Sequence, residues 1–394
     1  MKIFKKILSC ALSAVLATSV CAIAVSACFD GGSDKEPVSS ELHFNEDGTF
    51  KILQIADIQD DITLAPIAKD YIEDLVDAEQ PDLVMLTGDN ISSRNRTKLT
   101  AKKAIDNFMS VLEEKGIPVA AVFGNHDDEE GLDKESQMEI YQSYDCFIGV
   151  AGDANISGVG NYNLPILASD SDKTVFNLYC IDSGTYNEEN DLGGYNCVRK
   201  DQIEWYVNTS NALKAENGGV PVPSIAFQHI IVPEIFDALA EVAPGTEGAI
   251  EHNGKYYVLP ETAAEGSVMH EAPCPPKYSN GQFDAMLNQG DVIALAVGHD
   301  HVNAYSVPYK GIDLICTPGV GFQSYGDETR GARVFVINES TPTEYETYTH
   351  SYAEFYDNDP AAMARYQMYG DIFFEQITGF VKYIFYSFIN IFSK

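Results

Sequence analysis

The sequence of 394 residues predicts an α/β fold of layered β-sheets covered by helices. Short apolar runs, typical of buried strands, alternate with longer segments that have the spacing of amphipathic helices. Several of the apolar runs lead directly into a short polar motif. Because ligands of open α/β sheets bind outside the carboxyl ends of the strands, these motifs predict where the functional site lies.

The individual elements follow one another along the chain. Residues 42–56 predict a β-hairpin, with a turn at Asn45-Glu46-Asp47-Gly48 and a second strand at 50–55. Apolar residues recur at helical spacing over 66–79, and a second helix is expected around 98–115. Further strands are expected at 83–86, 119–123, 175–181, 224–227 and 292–297, a helix is expected at 201–213, and strands at 311–316 and 333–337 suggest a second sheet.

Polar motifs stand at the ends of these strands. They are Asp57-Ile58-Gln59, Gly88-Asp89-Asn90, Gly124-Asn125-His126-Asp127, Gln228-His229 and Gly298-His299-Asp300-His301. Any one of them is ordinary turn chemistry, since Gly, Asp and Asn favour turns. Carboxylate, imidazole and amide groups are also ligands for metal ions. Four of the eight histidines lie in this ordered set, so the motifs together predict a site for two metal ions.

The ordered motifs resemble those of the calcineurin-like metallophosphoesterases, and especially the branch of plant purple-acid-phosphatase-like (type 29) and yeast phosphatase-like proteins. The segments at 194–195, 201–206, 279–283 and 331–334 resemble the same branch. The resemblance covers roughly residues 42–340. It implies two packed mixed β-sheets flanked by helices, with a dimetal site at the C-terminal ends of the strands.

The resemblance also implies a role for each motif residue. Asp89 is expected to bridge the two metals, with Asp57 and His301 on the first metal and Asn125, His229 and His299 on the second. The ions are expected to be divalent or Fe-type, with Mn, Fe, Zn and Mg as the options. His126 and Asp127 are the catalytic candidates. His126 is expected to protonate the leaving oxygen or stabilise its charge, and Asp127 to orient its neighbours.

Two positions depart from the pattern of the family. Most relatives have Asp-x-His where this chain has Asp57-Ile58-Gln59, so the first metal loses an imidazole. It either gains the weaker amide oxygen of Gln59 as a ligand or keeps only water at that position. Ser92 stands where purple enzymes carry a tyrosinate, so the charge-transfer colour of an Fe(III)–tyrosinate pair is not expected.

The resemblance implies the hydrolysis of phosphate monoesters by a water that two metals activate. The expected substrate is a phosphorylated small molecule or an exposed phosphorylated group. The alternatives are a phosphodiesterase of the same fold and a non-catalytic surface protein that binds ligands through a degenerate metal site. A net charge of −34 disfavours nucleic acid as a partner, because its phosphates meet a repulsive field.

The N-terminus predicts export. Residues 1–27 read as a signal peptide, with Lys2, Lys5 and Lys6 before an apolar stretch at 7–27. A transmembrane helix is the alternative, but Val25-Ser26-Ala27-Cys28 resembles a bacterial lipobox. Cys28 would then carry a lipid, and residues 28–41 would form a flexible tether. An extracytoplasmic, membrane-anchored lipoprotein is therefore preferred to a secreted protein.

The remaining chain is expected to form a phosphoesterase domain at 42–350 and a C-terminal tail at 351–394. Within the domain, about 233–290 is rich in Gly and Pro and forms either a lid over the site or an inert surface insertion. The tail contains an amphipathic helix with a wide apolar face. That helix either lies in a membrane interface or docks onto its own domain.

Overall fold

The computed structural model describes residues 41–59, 61–63, 65–129, 131–187, 192–369 and 373–392. The predicted signal peptide and lipid-modified Cys28 lie outside these residues. The described strands are β1 Leu42–His43, β2 Thr49–Ile55, β3 Leu83–Thr87, β4 Val119–Val122, β5 Tyr162–Leu167, β6 Thr174–Cys180, β7 Ser224–Phe227, β8 Ala240–Val242, β9 Ile250–His252, β10 Lys255–Val258, β11 Val268–Met269, β12 Val292–Val297, β13 Asn303–Tyr309, β14 Ile312–Cys316, β15 Gly331–Asn338 and β16 Tyr345–Ser351. The described helices are α1 Pro66–Glu79, α2 Lys98–Lys115, α3 Lys134–Tyr141, α4 Lys200–Glu216, α5 Ile235–Ala238, α6 Gln282–Gln289, α7 Tyr352–Phe355, α8 Pro360–Gln367 and α9 Phe373–Phe392.

Two large mixed sheets form the body of the domain. One has eight strands in the order β1-β5-β6-β7-β12-β14-β13-β11, and the other has five in the order β16-β15-β2-β3-β4. In the five-stranded sheet β2, β3 and β4 are parallel and β15 is antiparallel to β2. In the eight-stranded sheet β6, β7, β12 and β14 are parallel. The predicted fold class, two packed mixed sheets flanked by helices, is confirmed.

Three apolar clusters hold these layers together. Phe50, Met85 and Val122 of the five-stranded sheet are buried against Phe227 and Ala296 of the eight-stranded sheet. A second cluster buries the outer face of the five-stranded sheet under α1, α2 and α3. A third buries the outer face of the eight-stranded sheet under α4 and α6. The central parallel strands therefore have apolar neighbours on both faces, which explains their unbroken apolar sequences.

The helices α1 and α2 have the predicted bounds, because their ends carry clear local signals. Pro66 opens α1, where its fixed φ suits the first turn and its missing N–H costs nothing. Thr97 precedes α2 and forms a reciprocal capping box with Thr100. Gly116, at a φ of 70°, ends α2 in the left-handed conformation that favours glycine.

One prediction about strand pairing is wrong. The turn after Leu42–His43 forms, but β1 pairs with β5 and β2 pairs with β3 and β15, so the two strands belong to different sheets. The second large sheet that the later strands suggested is present, and those strands lie one in each sheet, with β14 in the eight-stranded and β15 in the five-stranded sheet. Apolar periodicity reveals a strand, whereas its partner is chosen by burial in the sandwich.

The region around 233–290 contains its own small elements. β8, β10 and β9 form a three-stranded sheet, and β11 extends the edge of the large sheet beside β13. Among the described helices, none combines the length and the apolar character that a membrane crossing requires.

Candidate metal centre

The polar motifs meet at one edge of the sandwich. β2, β3 and β4 deliver Asp57, Asp89 and Asn125 from one sheet, while β7 and β12 deliver His229 and the 299–301 loop from the other. Within their sheets, β2, β3 and β4 run parallel to one another and β7 runs parallel to β12, so the carboxyl ends that carry the motifs lie on the same side of each sheet. Residues as far apart as 57 and 301 are thereby brought together.

Two groups of potential ligands share one carboxylate. Asp89, His229 and His299 form one group, and Asp57, Asp89 and His301 form the other, with the ligand atoms of each group within 4.8 Å of one another. His229 Nε2 lies 3.3 Å from Asp89 Oδ2, and His301 Nε2 lies 3.4 Å from Asp57 Oδ1. Asp89 thus stands where a carboxylate that bridges two cations would stand.

The backbone around these ligands is strained. Asp57, Gln59, Asp89 and His299 have φ values of 53°, 44°, 49° and 75°, in the left-handed region that non-glycine residues rarely adopt. Each such residue costs on the order of 1–3 kcal/mol and persists only where the surroundings impose it. The strain turns each side chain away from its strand and into the shared pocket.

Two motif glycines are required by close approach. A Cβ atom on Gly124 would lie 2.1 Å from Asp89 Oδ1, and one on Gly88 would lie 2.6 Å from His229 Nδ1. Both distances are far below van der Waals contact. Glycine at these positions allows the carboxylate and the imidazole to pack directly against backbone.

The residues present fit a pair of cations. Asp57 Oδ1 and Asn125 Oδ1 are buried and accept no hydrogen bond. A buried polar atom without a hydrogen-bond partner costs about 1–3 kcal/mol of folding free energy. Two such oxygen atoms in one pocket therefore indicate a site that is suited to a cation. The donor set of carboxylate oxygens, an amide oxygen and imidazole nitrogens suits divalent transition metals or Fe. The family implies two metals, and this arrangement can hold them.

Neighbouring groups orient the ligands. His229 Nδ1 lies 2.9 Å from the Thr87 carbonyl and His301 Nδ1 lies 3.1 Å from the Tyr325 carbonyl. A proton shared with a carbonyl at Nδ1 leaves the Nε2 lone pair free for a cation. Asn125 Nδ2 donates to the Tyr186 hydroxyl at 3.3 Å, which directs Asn125 Oδ1 into the pocket.

The charges of the pocket are strongly coupled. Burial raises the pKa of Asp89, but the charge and hydrogen bond of His229 outweigh burial and hold this pKa below its ordinary value. Burial lowers the pKa of His229, yet the carboxylates of Asp89 and Asp57 raise it to about 10. Burial and the charge of His229 lower the pKa of His299. A cation that binds here therefore replaces the proton of His229.

Gln59 lies beside the first group. Its Nε2 atom is 3.3 Å from Asp89 Oδ2 and 3.4 Å from His301 Nε2. The side-chain amide thus lies between a carboxylate and an imidazole of the first group, with its oxygen and nitrogen exchangeable by a flip. Ligation of a metal by Gln59 stays a prediction. Ser92, in contrast, uses its hydroxyl to accept from the N–H groups of Arg94.

The two catalytic candidates have different surroundings. The backbone N–H of His126 donates to Asp89 Oδ1 at 2.8 Å, and its partly exposed ring pairs through Nδ1 with Glu129. Asp127 is buried, and its two carboxylate oxygens accept the backbone N–H groups of Gly124 and Ile91. Burial and the nearby Asp89 raise the pKa of Asp127 to about 7. Asp127 therefore holds the motif backbone, and a direct catalytic role for it stays a prediction.

Sequence reasoning missed several residues around the ligands. The ring of Tyr325 stacks on His301 at a centroid distance of 4.2 Å, and its hydroxyl donates to Glu271. The edge of Tyr195 contacts His299, with ring centroids 4.4 Å apart, and Tyr186 stacks on Tyr195. Only Tyr195 lay in a segment that resembled the family. The others are brought in by loops, which carry no periodic signal.

A sandwich edge at which two groups of buried ligands share a carboxylate defines a class of protein, the metallophosphoesterases with two adjacent cation sites. The family described as calcineurin-like phosphoesterase matches residues 50–303. The chain belongs to this family and is a hydrolase that acts on phosphoric ester bonds.

Individual relatives agree with the branch that the motifs resemble. "Probable inactive purple acid phosphatase 29" of Arabidopsis thaliana is 31% identical over 76% of this chain and 79% of that protein. "Probable inactive purple acid phosphatase 14" of the same plant is 29% identical over 83% of each chain. "Phosphatase DCR2" of Saccharomyces cerevisiae is 28% identical over 79% of this chain and 55% of that protein. A crystal structure of a dimetal phosphatase from Danio rerio is 15% identical, with a TM-score of 0.46 over 77% of this chain and 99% of that one.

Proposed function

We propose that this chain is an exported phosphomonoesterase that uses two metal ions and acts on a phosphorylated small molecule or surface group. The observation that carries the proposal is the shared carboxylate of Asp89, which belongs to both groups of buried ligands. Two cations at such a centre supply a nucleophilic water and neutralise the charge on the phosphoryl oxygens. The expected metals are Mn, Fe, Zn or Mg, and the imidazole ligands favour the transition metals among them.

His126 is the group that acts on the leaving oxygen. Its Nδ1 atom pairs with Glu129, so Nε2 is the ring nitrogen that can carry a proton to the substrate. The ring is partly exposed, and the backbone N–H of the same residue donates to the Asp89 carboxylate. Glu129 keeps the imidazole in one orientation, and Asp127 holds the loop from which it projects.

The aromatic wall favours a compact ester. Tyr195 and Tyr186 stand beside His299 and Asn125, on the side of the second ligand group. We infer that these rings leave more room for a monoester than for a diester, because a diester carries a second organic group on phosphorus. The net charge of −34 makes nucleic acid a poor diester substrate for the same protein.

The N-terminal sequence supports a location outside the cytoplasm. A basic segment, an apolar stretch and Cys28 in a lipobox-like motif favour a lipid-anchored protein over a secreted one. Labelling with radioactive palmitate tests this location, since wild-type protein should incorporate the label and Cys28→Ser should not. Equal labelling of both proteins would exclude the anchor.

A non-catalytic binding protein is the competing function. Gln59 weakens the first ligand group, and two plant relatives carry the word "inactive" in their names. The shared Asp89 and the complete second group argue for catalysis. The two functions differ in turnover, not in metal binding.

The test combines metal content with hydrolysis of an aryl phosphate monoester and the matching diester. We expect two metals per chain, preference for the monoester, and a loss of turnover of at least about 100-fold in Asp89→Asn, since loss of an outer partner alone costs 10- to 100-fold. Asp172→Asn, the same change at an exposed loop position, is the matched control and should keep full turnover. Wild-type protein that holds metal but cleaves neither ester would overturn the proposal in favour of binding. Preference for the diester would replace it with the diesterase.

A further inference from the structure

The C-terminal helix α9 is oriented in an unexpected way. Among the residues of α9 whose burial is described, Gln376, Gly379, Tyr383, Tyr386 and Ser387 are the less exposed ones, and they recur at the spacing of one helix face. A Cβ atom on Gly379 would lie 2.7 Å from the carbonyl oxygen of Ala364 in α8, so this face packs closely on the domain. The face with glycine, polar side chains and two tyrosines is therefore the inner face of α9.

The opposite face of α9 is apolar and exposed. Its side chains are exposed by between 45% and 60% in the structure, and they are Ile377, Phe380, Val381, Ile384 and Phe385. Single exposed apolar residues are ordinary, but a contiguous stripe along several helix turns marks an interaction surface. The helix thus docks onto its domain, as one of the two alternatives expected, but presents its apolar face outward.

Residues 376–394, which follow Glu375 in the first turn of α9, differ in charge from the rest of the chain. The protein has 59 acidic residues, yet none lies between 376 and 394, where Lys382 and Lys394 are the charged side chains. Lys382 Nζ donates to Gln367 on α8, at the side of the helix. Membrane surfaces are commonly negative, and an acid-free segment avoids their repulsion in an otherwise acidic protein.

We propose that the outward face of α9 inserts into the interfacial layer of a lipid bilayer. The helix is amphipathic and unsuited to crossing a membrane, as expected of a helix that lies in the interface. This proposal is compatible with a membrane-anchored location outside the cytoplasm, but the observation that supports it is the exposed apolar face of α9.

Flotation with phosphatidylcholine vesicles tests the proposal on the full chain in a Cys28→Ser background, which removes any acyl chain. The double variant Phe380→Glu, Ile384→Glu should lower the bound fraction relative to the free fraction by at least about tenfold, given the apolar area it removes. Leu99→Glu, Val220→Glu is the matched control, because it makes the same change at two exposed apolar positions elsewhere. Phe380→Leu, Ile384→Leu should float like the parent.

Several outcomes would overturn the proposal. Equal flotation of the Glu variant and the parent would show that α9 does not bind the vesicles. A parent that does not float but is dimeric by light scattering, with a monomeric Glu variant, would assign the face to a second copy. A parent that neither floats nor dimerises would also exclude membrane docking. Phosphatase turnover and the thermal midpoint should be unchanged in the Glu variant, so the result is independent of the proposed function.

Discussion

The metal centre and helix α9 depart from ordinary protein architecture in opposite ways. The centre buries carboxylates and imidazoles, with Asp57, Asp89 and His229 almost completely removed from solvent. Helix α9 exposes Phe and Ile side chains and packs inward a face that carries glycine, polar side chains and two tyrosines. Charged groups are rarely buried without compensation, and large apolar stripes are rarely exposed.

Each departure marks a surface that the chain does not complete by itself. In the centre, Asp57 Oδ1 and Asn125 Oδ1 lack hydrogen-bond partners, which bound cations would supply. On α9, the uncovered apolar side chains lack the contacts that a bilayer would supply. The two regions are connected through α8, since Tyr366 donates to the Asp327 carbonyl in the loop that also carries Tyr325.

The largest expected effect is a loss of metal affinity when Tyr186 is changed. Tyr186→Phe removes the hydroxyl that accepts from Asn125 Nδ2, so the amide is free to turn its oxygen away from the pocket. We expect metal affinity to fall by about 10- to 100-fold, as for other groups that orient a ligand. Calorimetric titration with Mn²⁺ measures the change. The control is Tyr195→Phe, which keeps the ring against His299 and should bind Mn²⁺ like the wild type. Equal Mn²⁺ affinities of Tyr186→Phe and the wild type would show that the Tyr186 hydroxyl does not orient Asn125.

A smaller change, a gain in metal affinity, is expected when Gln59 is replaced by His. Gln59→His restores an imidazole between Asp89 and His301, and His tolerates the left-handed φ of 44° better than most residues. We expect the metal of the first ligand group to bind about tenfold more tightly, which corresponds to ~1.4 kcal/mol of binding free energy. Competition with a fluorescent chelator measures this affinity. Gln59→Ala serves as the control without a ligand, and tighter binding by Gln59→Ala would mean that the amide obstructs the first metal.

The smallest effect is expected at Gly379, where helix propensity and packing predict opposite signs. Alanine is better than glycine in a helix by about 1 kcal/mol. A Cβ atom at this position would, however, lie 2.7 Å from Ala364 O and 2.8 Å from Gln367 Cβ. We expect Gly379→Ala to lower stability by about 1 kcal/mol and to increase proteolytic cleavage near α9, because overpacking costs 1–3 kcal/mol.

The control for this prediction is Val381→Ala on the exposed face of the same helix. It gains helix propensity without a clash, so its thermal midpoint should stay the same or rise. A midpoint raised equally in both variants would mean that α9 does not depend on close packing against α8, and would weaken the assignment of an inner and an outer face.

Much of the fold could be predicted from the sequence. Local signals defined the bounds of α1 and α2, and unbroken apolar runs defined β3, β7 and β12. Strand pairing was less accessible: β1 and β2 looked like one hairpin but pair in different sheets. A turn sequence reports on a few residues, whereas sheet membership depends on the burial of whole faces.

The site was predictable in its residues more than in its geometry. The order and spacing of the motifs identified the ligand types, since few other arrangements place carboxylate, amide and imidazole groups after successive strands. The partners that orient these ligands, such as Tyr186 and Tyr325, come from loops without a periodic pattern. The partner of His126 is Glu129, only three residues away, and the sequence did not distinguish it from the other acids nearby.

By itself, the sequence determined the family, the two mixed sheets, the candidate metal-ligand residues and the amphipathic character of the last helix. These properties depend on local composition and on periods of two or 3.6 residues, which can be recognised from the sequence without knowledge of the tertiary contacts. The tertiary structure decided that Asp89 is shared by two ligand groups and that α9 turns its apolar face outward. Both facts depend on which surfaces lie against each other, and contacts between residues hundreds of positions apart have no local signature.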